Sequence, residues 1–217
     1  MRTTLILSAA VAGLLGGAAL TGMPAQAKDY SRVPSASLSI ENDAPLEVAY
    51  FAGGCFWGVE AVFEEVAGVK SAVSGFTGGA AKNVSYKQVT RGGTGHAEAV
   101  RVTFDPRRVS YSDLMQVYFS VIADPTQRNR QGPDVGEHYR SAFFPVDARQ
   151  KREARAYIAQ LGKAKVYDKP IVTRIEPFRH FVTAEAYHQD FMRKNPRHPY
   201  IVRHDAPKVA AYRELFG

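Results

Sequence analysis

Between residues 46 and 216 the apolar residues change period several times, from two to about three and a half and back. That order limits the chain to a sheet with helices packed on it. Leu46–Ala52 reads as a strand that ends in Gly53-Gly54. Immediately after it, Phe56, Val59, Val62, Phe63 and Val66 recur at helical spacing, and Gly68 is a stop. The pattern predicts strands over 69–76 and 97–104, the second closed by Asp105-Pro106. Ser110 with Asp113 resembles a capping box that opens a helix running through Ile122. A strand over 139–145, a helix capped by Asp147 and running to Leu161, a strand over 171–175 and helices over 183–193 and 207–216 complete the series. Residues 80–95 and 124–138 read as long polar loops. The order β-α-β-β-α-β-α-β-α predicts an α+β fold, a mixed sheet with packed helices around a ferredoxin-like split βαβ core.

Composition narrows the class further. The chain has 217 residues, 45% of them hydrophobic and 11% aromatic, which is globular and too rich in Phe and Tyr for disorder. Cys55 is the single cysteine, so an internal disulfide scaffold and a thiolate-rich zinc site are both excluded. No metal site is expected from the motifs. The formal charge is +7, but the basic residues are dispersed. Lys151, Arg152 and Arg155 lie among Glu153 and alanines on an amphipathic helix, which is a solvated face rather than a nucleic-acid patch.

The amino terminus speaks to compartment. Arg2, the uncharged run Leu5–Leu20 and Ala25-Gln26-Ala27 together read as a secretory signal peptide over 1–27, cleaved after Ala27. The run falls short of spanning length and is diluted by glycines, so no stable membrane insertion is expected after cleavage. Residues 28–45, rich in Ser, Ala, Pro and Asn, read as a flexible leader to a folded domain over 46–217. The expected location is the periplasm.

The chemistry gathers at Cys55. It stands at a helix start, where unpaired N–H groups and the helix dipole favour a thiolate, which predicts a lowered thiol pKa. An unpaired thiol in an exported chain calls for an explanation, and reactivity supplies one. Glu98 shares a strand face with Val100, Val102 and Phe104, so its carboxyl is expected to be partly desolvated and able to donate a proton near neutral pH. Tyr86, Tyr139 and Tyr187 lie near Gly/Pro-rich loops, and phenols stabilise an oxygen that gains charge. His96, His138 and His188 are alternative partners for Cys55, as in a Cys-His hydrolase or acyltransferase. A non-enzymatic alternative is a secreted binding module in which Phe56, Trp57 and the tyrosines form a cup.

The run Gly54-Cys55-Phe56-Trp57-Gly58 resembles the active-site signature of type A peptide methionine sulfoxide reductases. Gly75–Gly79, Gly95–Val100, Asp134 through Ser141, and Tyr187-His188-Gln189 are similar to that family in the same order. The resemblance implies thiol-dependent reduction of methionine-S-sulfoxide, free or in oxidised proteins, as protein repair under oxidative stress. By the family's pattern Cys55 attacks the sulfoxide sulfur and Glu98 donates a proton to its oxygen. Tyr86 and Tyr139 bind that oxygen, Asp134 is a supporting polar residue, and Phe56 and Trp57 hold the methyl group. Many relatives carry resolving cysteines near the C-terminus, where this chain has none. A one-cysteine mechanism is therefore expected, without a cofactor. An external thiol, either a thioredoxin-like protein or a small molecule, would regenerate the enzyme. A monomer is expected.

Overall fold

The computed structural model describes residues 30–217, so the expected signal peptide lies outside the described residues. The chain runs β1 (Glu47–Gly53), α1 (Phe56–Glu65), β2 (Val69–Thr77), α2 (Tyr86–Thr90), β3 (Ala97–Phe104) and α3 (Tyr111–Val117), which continues as a π-helical turn over Tyr118–Ile122. A hairpin of β4 (Arg130–Gln131) and β5 (Asp134–Val135) follows, then a 3-10 turn (Glu137–Tyr139), β6 (Ser141–Phe143) and α4 (Ala148–Lys163). Next come β7 (Arg174–Ile175), β8 (Phe181–Thr183), a 3-10 turn (Ala186–His188) and α5 (Phe191–Lys194). The last elements are a π-helical turn (Ile201–Asp205) and α6 (Ala206–Phe216).

Six strands form one sheet in the order β7-β6-β1-β3-β2-β8. Within it β6-β1-β3-β2 is antiparallel throughout, with β3 inserted between β1 and β2, which is the split βαβ arrangement expected from the sequence. Only β6 and β7 pair in parallel, which makes the sheet mixed. Residues of one parity, including Phe51, Phe76, Val100, Val102, Phe104 and Phe143, build the main core with Val59, Val62 and Phe63 of α1 and Leu114, Met115 and Tyr118. The opposite parity is lined by small residues, Ala52, Ala97, Ala99 and Ala142, under Phe144, Tyr50, Phe178 and Phe181.

Several expectations change; the strand over 171–175 is only Arg174–Ile175, and the loop 124–138 contains the β4–β5 hairpin. The helix over 183–193 is instead a strand end, a 3-10 turn and a four-residue helix, interrupted by Asp190 at φ +53°. Its residues are used otherwise: β8 pairs with β2, and the Gln189 amide bonds the backbone of Ser74 and Ala184. The strand over 139–145 is shortened to β6 because Gly136, at φ +146°, turns the chain into the 3-10 segment. The loop 80–95 contains α2, capped by a reciprocal Ser85–Gln88 box.

The segment read as a flexible leader also differs. Its described residues, 30–45, carry no helix or strand, yet side chains of the helices take up their backbone groups. Ser120 Oγ accepts from Val33 N–H, Gln116 donates to Val33 C=O, Tyr157 donates to Pro34 C=O, and Glu153 accepts from Ile40 N–H. Val33 is buried in the main core. These bonds satisfy backbone groups of an extended segment that has no ladder of its own.

Candidate functional site

β1 delivers the chain to the start of α1 through Gly54, whose φ is +92°. A Cβ there would stand 2.6 Å from Cβ of Gln131, so both conformation and space require glycine. Cys55 follows as the residue preceding the first helical turn and is 8% exposed. Beside it the next backbone group, Phe56 N–H, donates to Glu98 Oε2 at 3.1 Å. A helix start leaves such N–H groups without internal partners. Here a carboxyl from the first residues of β3 satisfies one of them and is thereby fixed beside the sulfur.

Glu98 is 1% exposed. Burial pushes its pKa up to about 8, against the pull of the Phe56 amide, and Asp134 and Asp205 add to the rise. The carboxyl is therefore mostly protonated at neutral pH. One oxygen accepts from Phe56 while the protonated group retains a hydrogen to give.

Two phenols face the same point. Tyr86 opens α2, and Glu185 holds its backbone N–H at 3.0 Å. Tyr139 ends the 3-10 turn, which Arg140 clamps through bonds to Glu176, Gly95 C=O and Glu137 C=O. Burial first, then Glu98 and Cys55, raise the Tyr86 pKa to about 12, and burial with Glu98 and Tyr86 raises that of Tyr139. Both stay protonated and able to donate. Asp134, on β5, accepts a hydrogen bond from the Tyr200 hydroxyl. Phe56 is buried against Phe76, Tyr86 and His188. Trp57 stacks on Phe191 at 3.7 Å between centroids and 7° between planes, and its indole N–H donates to His188 Nδ1 at 3.1 Å.

Cys55, Phe56, Trp57, Tyr86, Glu98, Asp134 and Tyr139 are thus brought to one place. Tyr187 stands at the rim, 60% exposed, with its ring 4.1 Å from that of His188. Of the three candidate histidines, His96 Nε2 bonds Ala81 C=O, the His138 ring lies tilted against Tyr139, and His188 Nδ1 accepts from Trp57, while His96 Nδ1 and His188 Nε2 are buried without a hydrogen-bond partner. The expected lowering of the Cys55 pKa is reversed. Burial first, then the Glu98 and Asp205 carboxyls, push the thiol well up, and the Trp57 amide and Lys208 only partly offset them. The helix-start effect is present but smaller than desolvation.

Sequence reading missed Tyr200, Asp205 and Lys208, which come from the C-terminal region to the sulfur's other side. Cys55 lines a groove of roughly 890 Å³ with Gln131, Asp134, Tyr200, Arg203 and Lys208 among its walls. The one available signal was Gly58, a glycine inside a helical pattern, which marks close approach of another group. Among the described residues, no group of three or more His, Cys, Asp or Glu side chains is arranged to hold a metal ion. No helix among them is long and apolar enough to cross a membrane.

The family model described as peptide methionine sulfoxide reductase matches residues 47–216. A Mesorhizobium japonicum protein named peptide methionine sulfoxide reductase MsrA 2 is 56% identical over 170 residues, covering 78% of this chain and 87% of its own. The crystal structure of Mxr1 from Saccharomyces cerevisiae in reduced form superposes with a TM-score of 0.67 at 30% identity, covering 77% of this chain and 94% of that one. Methionine sulfoxide reductase A of Corynebacterium diphtheriae gives a TM-score of 0.60 at 34% identity, over 70% of this chain and 76% of that one.

Proposed function

The chain belongs to the peptide methionine sulfoxide reductase family and is a peptide-methionine (S)-S-oxide reductase, and on that premise we propose that its chemistry runs through Cys55 alone. The observation that carries this reading is the buried Glu98 carboxyl fixed by Phe56 N–H at the same helix start as the thiol, where burial raises its pKa to about 8. Phe56 and Trp57 hold the methyl group of the substrate, and the Tyr86 and Tyr139 hydroxyls receive the sulfoxide oxygen. Cys55 sulfur attacks the sulfoxide sulfur as Glu98 gives its proton to the oxygen. The protonated oxygen then passes from the substrate sulfur to the Cys55 sulfur as the S–S bond made in the attack breaks; methionine leaves reduced by two electrons, Cys55 becomes the sulfenic acid, and the thiol proton replaces the one that Glu98 gave.

With one cysteine in the sequence, reduction of the sulfenic acid falls to external thiols. One thiol forms a mixed disulfide with Cys55 and releases water; a second thiol, or the second sulfur of a dithiol, reduces that disulfide. A thioredoxin-like protein or a small thiol meets this need. Oxidised proteins and free methionine sulfoxide are the substrates.

Repair in the periplasm after cleavage following Ala27 is part of the same proposal, supported by Arg2, the apolar run and Ala25-Gln26-Ala27. A protein recovered from the periplasmic fraction should begin at Lys28; an uncut amino terminus contradicts it. The chemical step is tested without reductant. One equivalent of methionine should appear per chain, with Cys55 gaining the mass of one oxygen. Release of no methionine overturns the reading.

A further inference from the structure

Gly58 stands one turn beyond Cys55 on α1. A Cβ there would lie 2.1 Å from Asp205 Oδ1 and 3.0 Å from Lys208 Nζ. The absent side chain admits an ion pair, Lys208 Nζ to Asp205 Oδ1 at 3.1 Å, onto the helix face that carries Cys55, since residues three apart are neighbours there. Asp205 is fully buried and the Lys208 side chain is 13% exposed. The second carboxylate oxygen, Asp205 Oδ2, is buried without a hydrogen-bond partner. A buried pair left partly unsatisfied adds little to stability, because desolvation cancels most of the attraction. Packing alone therefore gives no reason for these charges. Their place does: Lys208 and Cys55 line the same groove.

We propose that Lys208, steered by Asp205 into the space left at Gly58, is a positioning residue that supplies the counter-charge to the Cys55 thiolate. This rests on the reading of Cys55 as nucleophile. The other groups that act on the sulfur are the carboxyls of Glu98 and Asp205 and the phenols of Tyr86, Tyr139 and Tyr200, with Asp134 behind Tyr200. None of them is a cation; Arg203 and His204 also line the groove, but of its basic side chains Lys208 is the one that acts on the sulfur. Burial works against charge on Lys208, yet Asp205 and Cys55 more than offset it and hold the ammonium protonated. Once the thiolate forms, Lys208 lies where it stabilises it, and Asp205 sets how strongly.

The test is the pH dependence of Cys55 alkylation by iodoacetamide in the full chain, which needs no sulfoxide and so stands apart from turnover. Lys208→Met should move the midpoint upward by about one unit or more, slowing alkylation about tenfold at neutral pH. Lys208→Arg should restore the wild-type profile. Asp205→Asn should move the midpoint downward and speed alkylation. Opposite shifts follow from charge; a packing role gives the same direction for both. An unchanged profile in Lys208→Met, or slowing in both variants, overturns the proposal. Should Lys208→Met fail to fold, Asp205→Asn decides alone: an unchanged or upward midpoint overturns it.

Discussion

Glu98 is 1% exposed and accepts from Phe56 N–H at the helix start that carries Cys55. Its parity with Val100, Val102 and Phe104 places it on the core face of β3, and that much was legible. Its bond to Phe56 N–H was not, because the contact joins residues 42 apart and depends on how β3 lies beside α1. Glu98→Gln keeps the shape and removes the proton. Single-turnover methionine release should fall about 10²–10⁴-fold, with the circular dichroism spectrum unchanged; a loss under tenfold contradicts the role. Wild-type release should also decline on the alkaline side near the Glu98 pKa of about 8, and this limb should vanish in the variant. Stability carries the same signature. Burial raises Glu60 to about 7 and Glu98 to about 8, so both favour the protonated folded state. That stabilisation is complete below the ordinary glutamate pKa of 4.5 and is lost as pH rises through the folded values. Tm should therefore fall between about pH 5 and pH 8.5, and fall less in Glu98→Gln. A Tm that rises over this interval contradicts the assignment.

At the scale of elements, α1 shows why local pattern finds a helix but not its neighbours. Its apolar spacing predicted Phe56, Val59, Val62 and Phe63 as the buried face, and all four are buried. Asp205 and Lys208 looked like any exposed pair three residues apart, because nothing local says that α6 packs on the Gly58 face. The broken helix over 183–193 has the same origin: its residues serve the edge of β2 rather than their own ladder. Gly58→Ala makes the tertiary constraint measurable. In an exposed helix this change stabilises by about 0.5–1 kcal/mol. Here the new methyl meets buried Asp205, and a loss of about 1–3 kcal/mol is expected in urea denaturation. A neutral or stabilising effect would mean that α6 yields easily and that the Asp205–Lys208 geometry is loose.

The whole molecule is a split βαβ sheet whose open helical face is strapped by the segment ahead of β1. Sequence composition described that strap as a linker, since an extended stretch of Ser, Ala and Pro carries no periodic signal. What fixes it are side chains from elements more than 80 residues away, such as Gln116 and Tyr157. Removing residues up to 45 exposes the Val33 site and should cost about 2–3 kcal/mol, seen as a Tm lower by roughly 4–12 °C. An unchanged Tm would return the segment to the status of a linker. The proposed chemistry needs one thiol at one helix start with the Glu98 carboxyl beside it. The most direct test is steady-state reduction of S- and R-epimers of a methionine sulfoxide peptide, with a small dithiol as reductant and Cys55→Ser run alongside. Turnover of the S epimer only, abolished by the substitution, is expected; sustained turnover by Cys55→Ser, or no methionine formed by the wild type even in a single turnover, would rule out Cys55 as the nucleophile of this reaction.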